Sequence, residues 1–180
     1  IPIACVGVIS KVNMVFIAIC IGISQGSQPI WGFNYGAKKY DRVRQAYRYS
    51  VTACTVIATI FFFCFQIFPH QIVGIFGTGS DLYFQFAERY LKIFMFMTFV
   101  NGIQPVSSSF FTSIGMAKLG IVMSLTRQVI FLLPLIIIFP LFMGIDGVMY
   151  AGPIADAAAF VLAIVFARRE LGKMRSAEIV

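Results

Sequence analysis

Residues 119–142 read LGIVMSLTRQVIFLLPLIIIFPLF, and Arg127 is the one charged side chain among them. A helix needs about 20 mainly apolar residues to cross the hydrocarbon core of a membrane, because each residue adds about 1.5 Å of length. This stretch exceeds that length with a single charge. It therefore predicts a membrane-spanning helix, and it decides the class of fold to which the chain belongs.

Four further apolar stretches of similar length lie along the 180 residues. Together the sequence predicts five spans, at about 3–31, 47–68, 82–114, 119–142 and 147–167, followed by a tail at 168–180. Only 12% of the residues are charged, about half the roughly 25% of soluble domains. We therefore predict an all-α membrane protein, a bundle of five transmembrane helices. Breaks in the helices are expected near Pro29, Gly102, Pro105 and Pro134.

Ten of the fourteen Lys and Arg residues occur in alternate connections between the predicted spans or in the tail. They are Lys38, Lys39, Arg42, Arg44 and Arg48 after the first span, Lys118 after the third, and Arg168, Arg169, Lys173 and Arg175 in the tail. The connections 69–81 and 144–147 carry no Lys or Arg. By the positive-inside rule, the N-terminus of the chain lies outside and the C-terminus lies in the cytoplasm. Upstream helices are then expected, and the alternation argues against a nucleic-acid partner, which needs a solvated basic face.

Asp156 and Arg127 are the charged residues inside the predicted spans that most need an explanation. Asp156 lies about ten residues into the fifth span, and an Asp near the bilayer centre costs about 2.5–3.5 kcal/mol. Arg127 lies at a similar depth in the fourth span, which a short loop joins to the fifth. Two interpretations stay open: a structural Arg127–Asp156 ion pair, or a transport cavity that one or both line and in which Asp156 titrates.

Amide side chains inside the spans are further candidates for a substrate or ion pathway. They are Gln25, Gln28, Asn101 and Gln104. Such amides either join helices by hydrogen bonds or contact a substrate in a cavity. Asn101 and Gln104 precede Pro105, and polar groups beside a broken helix are typical of transporter binding sites. Gly22 and Gly26 have the G-x-x-x-G spacing of closely packed helices.

The motifs of enzymes and metal sites are missing from the sequence. We find no nucleophile–base pair, no phosphate-binding loop and no Cys/His cluster at ligand spacing. His70 is the single histidine, and the four cysteines all lie in apolar stretches. We therefore expect no enzyme activity, no metal site and no cofactor.

A resemblance to a known family comes from the run QGSQPIWGFNYGAKK at 25–39. It resembles the Q-G-x-Q-P-x-x-G-Y-N-Y-G-A-K-K segment of bacterial multidrug and toxic compound extrusion (MATE) transporters. Further similarities follow in the family's order: QP at 104–105, FF at 110–111, IG at 114–115, RQ at 127–128, Pro134, GIDG at 144–147 and PIAD at 153–156. They cover nearly the whole chain.

The resemblance implies a fold of two six-helix bundles around a central cavity. This chain would be the C-terminal bundle without its first helix, and its partners would be that helix, the N-terminal bundle, membrane lipids and small organic compounds. The implied function is export of organic, often cationic, compounds across the plasma (inner) membrane in exchange for Na⁺ or H⁺. Some members carry an acidic residue three positions before the Gln of the Q-P pair. Asn101 stands there, so this half lacks that ion-coupling acid.

Two other functions are weighed against an antiporter. A lipid-linked oligosaccharide flippase has the same wider architecture, but it should place more Arg and Lys in its cavity to bind phosphate. A membrane interaction or assembly subunit without transport activity is the alternative from another class.

Overall fold

The computed structural model describes residues 2–76 and 80–178, and no strand occurs within them. The helices are α1 Pro2–Gly36, α2 Tyr40–Ile67, α3 Pro69–Phe76, α4 Asp81–Phe94, α5 Thr98–Asn101, α6 Ile103–Ser113, α7 Ala117–Leu125, α8 Leu133–Met143 and α9 Ile145–Glu178. A π-helical segment, Thr126–Leu132, joins α7 to α8. The prediction of an all-α membrane protein is confirmed.

Four helical stretches are long and apolar enough to cross a membrane: Cys5–Gly36, Tyr40–Ile67, Ala117–Met143 and Asp146–Ala177. They correspond to the first, second, fourth and fifth predicted spans. The helices run past the apolar stretches, so α9 continues through most of the predicted tail 168–180. The difference arises because hydropathy reports the part of a helix inside the membrane, whereas backbone hydrogen bonds continue into the polar region.

The third predicted span, 82–114, is not one helix. It is divided among α4, α5 and α6, with a turn at 95–97 and a break at Gly102. A Cβ atom at Gly102 would lie 3.1 Å from the carbonyl oxygen of Cys54, so the glycine lets α2 pass close to the break. Pro105 lies in the first turn of α6, where its missing N–H has no partner to lose. Five continuous spanning helices are therefore not confirmed.

The other prolines behave differently from one another. Pro29 lies inside an uninterrupted α1, so the predicted break there is wrong. Ahead of Pro134 the helix widens, and the N–H of Leu133 bonds the carbonyl of Gln128 five residues earlier. Pro69 begins α3, where an unstructured connection was expected; proline suits a first turn.

The buried apolar core forms two clusters, one toward each end of the bundle. Trp31, Tyr47 and Phe110 lie at the heart of the first cluster, near the end that carries the basic connections. Their rings pack with centroids 4.7 Å apart for Tyr47–Phe110 and 5.6 Å apart for Trp31–Phe110. The second cluster joins the beginnings of α1 and α9 to α3 and α4. The middle of α9 lies between the two clusters.

The outside of the bundle is apolar, as a lipid environment requires. No residue of α8 is buried, and Leu141 and Phe142 are 78% and 82% exposed. In water such a surface would be unstable, but lipid tails are as apolar as these side chains. The polar groups that the fold buries are therefore the ones that call for a functional explanation.

Candidate functional site

The most buried charged group in the middle of the bundle is Asp156 of α9. The Nε of Arg127 donates to its Oδ1 at 2.5 Å, and the side chains of Arg127 and Asp156 are only 7% and 4% exposed. Arg127 belongs to the π-helical segment. π-Helical turns are rare and occur often at functional sites.

Asn101 completes this buried polar cluster. It ends the short helix α5, and its Nδ2 donates to the second oxygen of Asp156 at 3.2 Å. Both carboxylate oxygens of Asp156 therefore have a donor. We call Asn101, Arg127 and Asp156 the polar cluster. One turn ahead of Asp156, Gly152 lets α9 pack closely on α4, because a Cβ there would lie 2.6 Å from the ring of Phe94.

Gln104 lies one turn from Asn101, in α6. Its Nε2 donates to the carbonyl oxygen of Met123 at 2.8 Å, and the hydroxyl of Ser108 donates to the carbonyl of Gly120 at 2.8 Å. These two bonds join α6 to α7, just ahead of the π-helical segment. Gln104 thus contributes to the position of Arg127 through the helix that carries it.

A cavity of about 340 Å³ opens beside the polar cluster. It is lined by Phe16, Ile17, Cys20, Ile21, Asn101, Gln104, Pro105, Ser108, Ser109, Ser124, Arg127 and Gln128. Its wall combines amides, hydroxyls and one guanidinium with an apolar face from α1, which suits small organic molecules. Asp156 is not among the lining residues, so it acts on the cavity through Asn101 and Arg127.

The predicted site residues divide into two groups. Asn101, Gln104, Arg127 and Asp156 come together at or directly behind the cavity. Gln25 and Gln28 do not reach it: they lie in α1 beyond Cys20 and Ile21, toward the basic end, where Gln25 is exposed and Gln28 half-buried. A role for these two in a substrate pathway stays a prediction.

Some lining residues were not singled out from the sequence. Ser124 lies one turn ahead of Arg127, and Ser109 lies one turn after Pro105. Gln128, quoted only as part of the RQ pair, also lines the cavity. Spacing of three to four residues from Arg127 was a usable signal for Ser124. Cys20 and Ile21 gave no such signal, because apolar residues of a spanning helix look alike whether they face lipid or a cavity.

The fold and the site define a class: a membrane protein of several spanning helices with a polar cavity inside its bundle. The MatE family model matches residues 1–145. Multidrug export protein MepA of Staphylococcus aureus is 23% identical over 164 residues, which are 90% of this chain and 36% of MepA. Probable multidrug resistance protein YoeA of Bacillus subtilis is 27% identical over 168 residues, 85% of this chain and 34% of YoeA.

Solved structures agree with these relatives. The MATE multidrug transporter DinF-BH, solved in a complex, is 34% identical to this chain, with a TM-score of 0.83 over 91% of this chain and 36% of DinF-BH. The match to a MATE protein in the bent conformation covers 98% of this chain and 39% of that protein's chain, with a TM-score of 0.89 and 16% identity. This match shows a shared fold.

The chain belongs to the MatE family, because the family model matches most of its length. It spans about a third of the length of the curated relatives, at 36% of MepA and 34% of YoeA. The resemblance to MATE transporters in the sequence is thereby confirmed.

Proposed function

We propose that this chain is part of a secondary-active antiporter that exports organic, often cationic, compounds in exchange for Na⁺ or H⁺. The proposal is supported by the family and by the relatives, which are named as multidrug export or resistance proteins. Because the chain covers about a third of those relatives, the activity belongs to a longer protein. The N-terminal bundle and the first helix of this bundle would supply the rest.

The observation that carries the proposal is the cavity of about 340 Å³ beside the polar cluster. A buried ion pair contributes little net stability, since the desolvation of both charges offsets their attraction. In a membrane such groups are retained mainly where they serve a pathway. Arg127, Asn101 and Gln104 expose polar groups to a space bounded by Phe16 and Ile21, a combination suited to amphipathic compounds.

We infer that ion coupling does not run through this half of the transporter. Among the described residues, the carboxylate directly behind the cavity wall is that of Asp156, and Arg127 and Asn101 occupy both its oxygens. The position where some members carry an acid holds Asn101. We propose that the coupling carboxylate lies in the longer protein outside these 180 residues.

We place the protein in the plasma (inner) membrane with its basic end in the cytoplasm. That end carries the α1–α2 connection, Lys118 and the end of α9, in accordance with the positive-inside rule. The opposite end carries three acidic residues and two basic ones, which are Asp81, Glu88, Asp146, Arg89 and Lys92.

A flippase for lipid-linked oligosaccharides is the less favoured alternative. Such a cavity would need several cations for its phosphates. Within the described part of the chain, Arg127 is the only Lys or Arg that lines this cavity, and its Nε is already bound to Asp156.

The test uses the longer protein that contains this chain, purified and reconstituted in liposomes. We expect uptake of a fluorescent organic cation when a Na⁺ or H⁺ gradient is imposed, and none without a gradient. Gradient-independent movement of a lipid-linked sugar would favour the flippase, and no movement of either would favour an interaction subunit. The 180-residue chain alone is expected not to transport; uptake by that chain would contradict the two-bundle proposal.

A further inference from the structure

Two further cavities lie at the basic end of the bundle. The first has a volume of about 700 Å³ and is lined by Asp41, Arg44, Gln45, Arg48, Tyr49 and Arg175. Its walls come from the beginning of α2 and the end of α9, so two distant parts of the sequence build it. Three guanidinium groups and one carboxylate give it an excess of positive charge.

The guanidinium groups in this first cavity are not equivalent. Arg44 forms an ion pair with Asp41 on the same helix. In the described part of the chain, neither Arg48 nor Arg175 forms an ion pair, although the two approach the same space from α2 and α9. A guanidinium group can bind a phosphate group through two parallel hydrogen bonds, so these two arginines in one cavity suit an anionic ligand.

The second cavity adjoins the first and has a different character. Its volume is about 470 Å³, and it lies between α1 and α2, with Ile23, Ile30 and Ala53 in its wall. Gln45 and Tyr49 belong to both cavities, and the Nε2 of Gln45 donates to the hydroxyl of Tyr49 at 3.0 Å. The two spaces therefore meet along one side of α2.

The second cavity runs from the membrane surface toward the interior. Its lining extends along α2 from Arg42 to Ala53, a distance of about 16 Å along the helix axis. Ser27 and Ser50 also line it, but their hydroxyls bond each other at 2.8 Å and so offer little to a polar ligand. An apolar groove of this length fits an acyl chain.

We propose that the two cavities form one binding site for an anionic phospholipid. The phosphate lies between Arg48 and Arg175, and an acyl chain lies in the groove between α1 and α2. Basic pockets between helices on the cytoplasmic side of membranes bind such headgroups. Tyr49, 66% exposed, lies where the cavities meet, and aromatic rings favour the membrane surface. Free phosphate would use the arginines but leave the apolar groove unused.

The test compares lipids for binding to the purified protein in detergent, by native mass spectrometry and by the shift in melting temperature. Phosphatidylglycerol should bind. Phosphatidylcholine with the same acyl chains should bind at least about tenfold more weakly. Inorganic phosphate and glycerophosphoglycerol supply the headgroup chemistry without acyl chains, so both should bind far more weakly than the lipid. Equal binding of phosphate and phosphatidylglycerol would show a phosphate site and overturn the lipid proposal.

Variants locate the site on the protein. Arg48→Gln with Arg175→Gln should weaken phosphatidylglycerol binding about tenfold or more, and Arg48→Lys with Arg175→Lys should restore part of it. The matched control is Arg168→Gln with Arg169→Gln, which removes the same charge from exposed positions outside both cavities. Equal losses in the two double variants would show a general surface attraction and overturn the site.

The groove has a variant of its own. Ala53 is exposed and lines the second cavity, so Ala53→Leu narrows the groove without filling the core. This substitution should weaken the binding of long-chain phosphatidylglycerol severalfold and leave the weak binding of glycerophosphoglycerol unchanged. Size-exclusion profiles establish that each variant is folded, and undiminished lipid binding by a folded Ala53→Leu variant would contradict acyl-chain occupancy.

Discussion

Arg127 and Asp156 are in direct contact, with Nε 2.5 Å from Oδ1, although they lie 29 positions apart in the sequence. Both side chains are withdrawn from the surface, yet only Arg127 reaches the cavity wall. The ion pair therefore holds a guanidinium at the edge of a space large enough for a ligand. A structural role and a functional role for the pair predict different outcomes when its members are substituted.

Breaking this ion pair should destabilise the bundle strongly. Arg127→Gln or Asp156→Asn leaves one buried charge without its partner, which costs about 3–5 kcal/mol in comparable sites. The double variant should recover part of that loss, because no charge then remains unpaired. A detergent titration measures the free energy of unfolding of the unsubstituted protein, the two single variants and the double variant.

An exposed ion pair provides the control for that cycle. Arg89 and Asp146 lie 3.6 Å apart, with side chains 61% and 46% exposed. Arg89→Gln and Asp146→Asn should each change the unfolding free energy by less than about 1 kcal/mol. If the substitutions at Arg127 and Asp156 lowered the unfolding free energy by equally little, the buried ion pair would make no structural contribution.

Neutralising Asp156 should lower transport without changing its pH dependence. Asp156 does not line the cavity and both its oxygens have donors, so we predict that it positions Arg127 and takes no part in proton exchange. Asp156→Asn in the longer protein should reduce efflux per folded molecule, with the midpoint of the pH profile unmoved. A shifted midpoint would establish instead that Asp156 titrates during transport.

Filling the cavity should block transport while the fold survives. Ser109 lines the cavity and is only half-buried, so Ser109→Phe occupies part of the roughly 340 Å³ with little strain in the core. Efflux of an organic cation should fall about tenfold or more, because the substrate loses part of its binding space. The control is Val129→Phe, because Val129 is 52% exposed on the bundle surface. Equal efflux in both variants would exclude this cavity from the pathway.

Glycine at position 120 should be required for the packing of α6 on α7. A Cβ there would lie 2.2 Å from Oγ1 of Thr112 and 2.9 Å from the carbonyl oxygen of Ser108. Gly120→Ala should therefore lower the unfolding free energy by about 1–3 kcal/mol, the usual effect of overpacking.

A matched glycine elsewhere gives the opposite expectation. A Cβ at Gly22 meets no atom of the described chain within 4 Å, so Gly22→Ala should be neutral or stabilise α1 by up to about 1 kcal/mol. Thermal unfolding compares the two variants. The G-x-x-x-G spacing at Gly22 and Gly26 thus predicted close packing that these residues do not make within the described part of the chain.

Much of the fold could be predicted from the sequence, since hydropathy acts locally. Each long apolar run became a helix because lipid offers no partner for an unbonded backbone group. In the span 82–114 the break near Gly102 was predicted, whereas the turn at 95–97 was not. The close approach of the Cys54 backbone to Gly102 could not be predicted either, because Cys54 is far away in the sequence. Pro29 left its helix uninterrupted, whereas a π-helical segment precedes Pro134. The position of a proline in the sequence does not distinguish these two outcomes.

The candidate site was predictable in its members but not in its arrangement. Arg127 and Asp156 stood out because charge inside an apolar run is costly, and Asn101 and Gln104 because they precede a proline. That Asn101 binds Asp156, while Gln104 binds the carbonyl of Met123, follows from how the helices are rotated and spaced. Gln25 and Gln28 looked equivalent to these amides, yet their turns of α1 lie away from the cavity.

The sequence by itself determined that the chain is helical, that it resides in a membrane, that it resembles MATE transporters, and which polar groups need explanation. Composition, apolar run length and charge alternation are properties of neighbouring residues, so they need no tertiary information. Only the tertiary structure decided that the third span also turns at 95–97, which polar residues meet, and where the cavities lie. Those features depend on contacts between helices that are distant in the sequence, and each contact is set by the combined packing of the bundle.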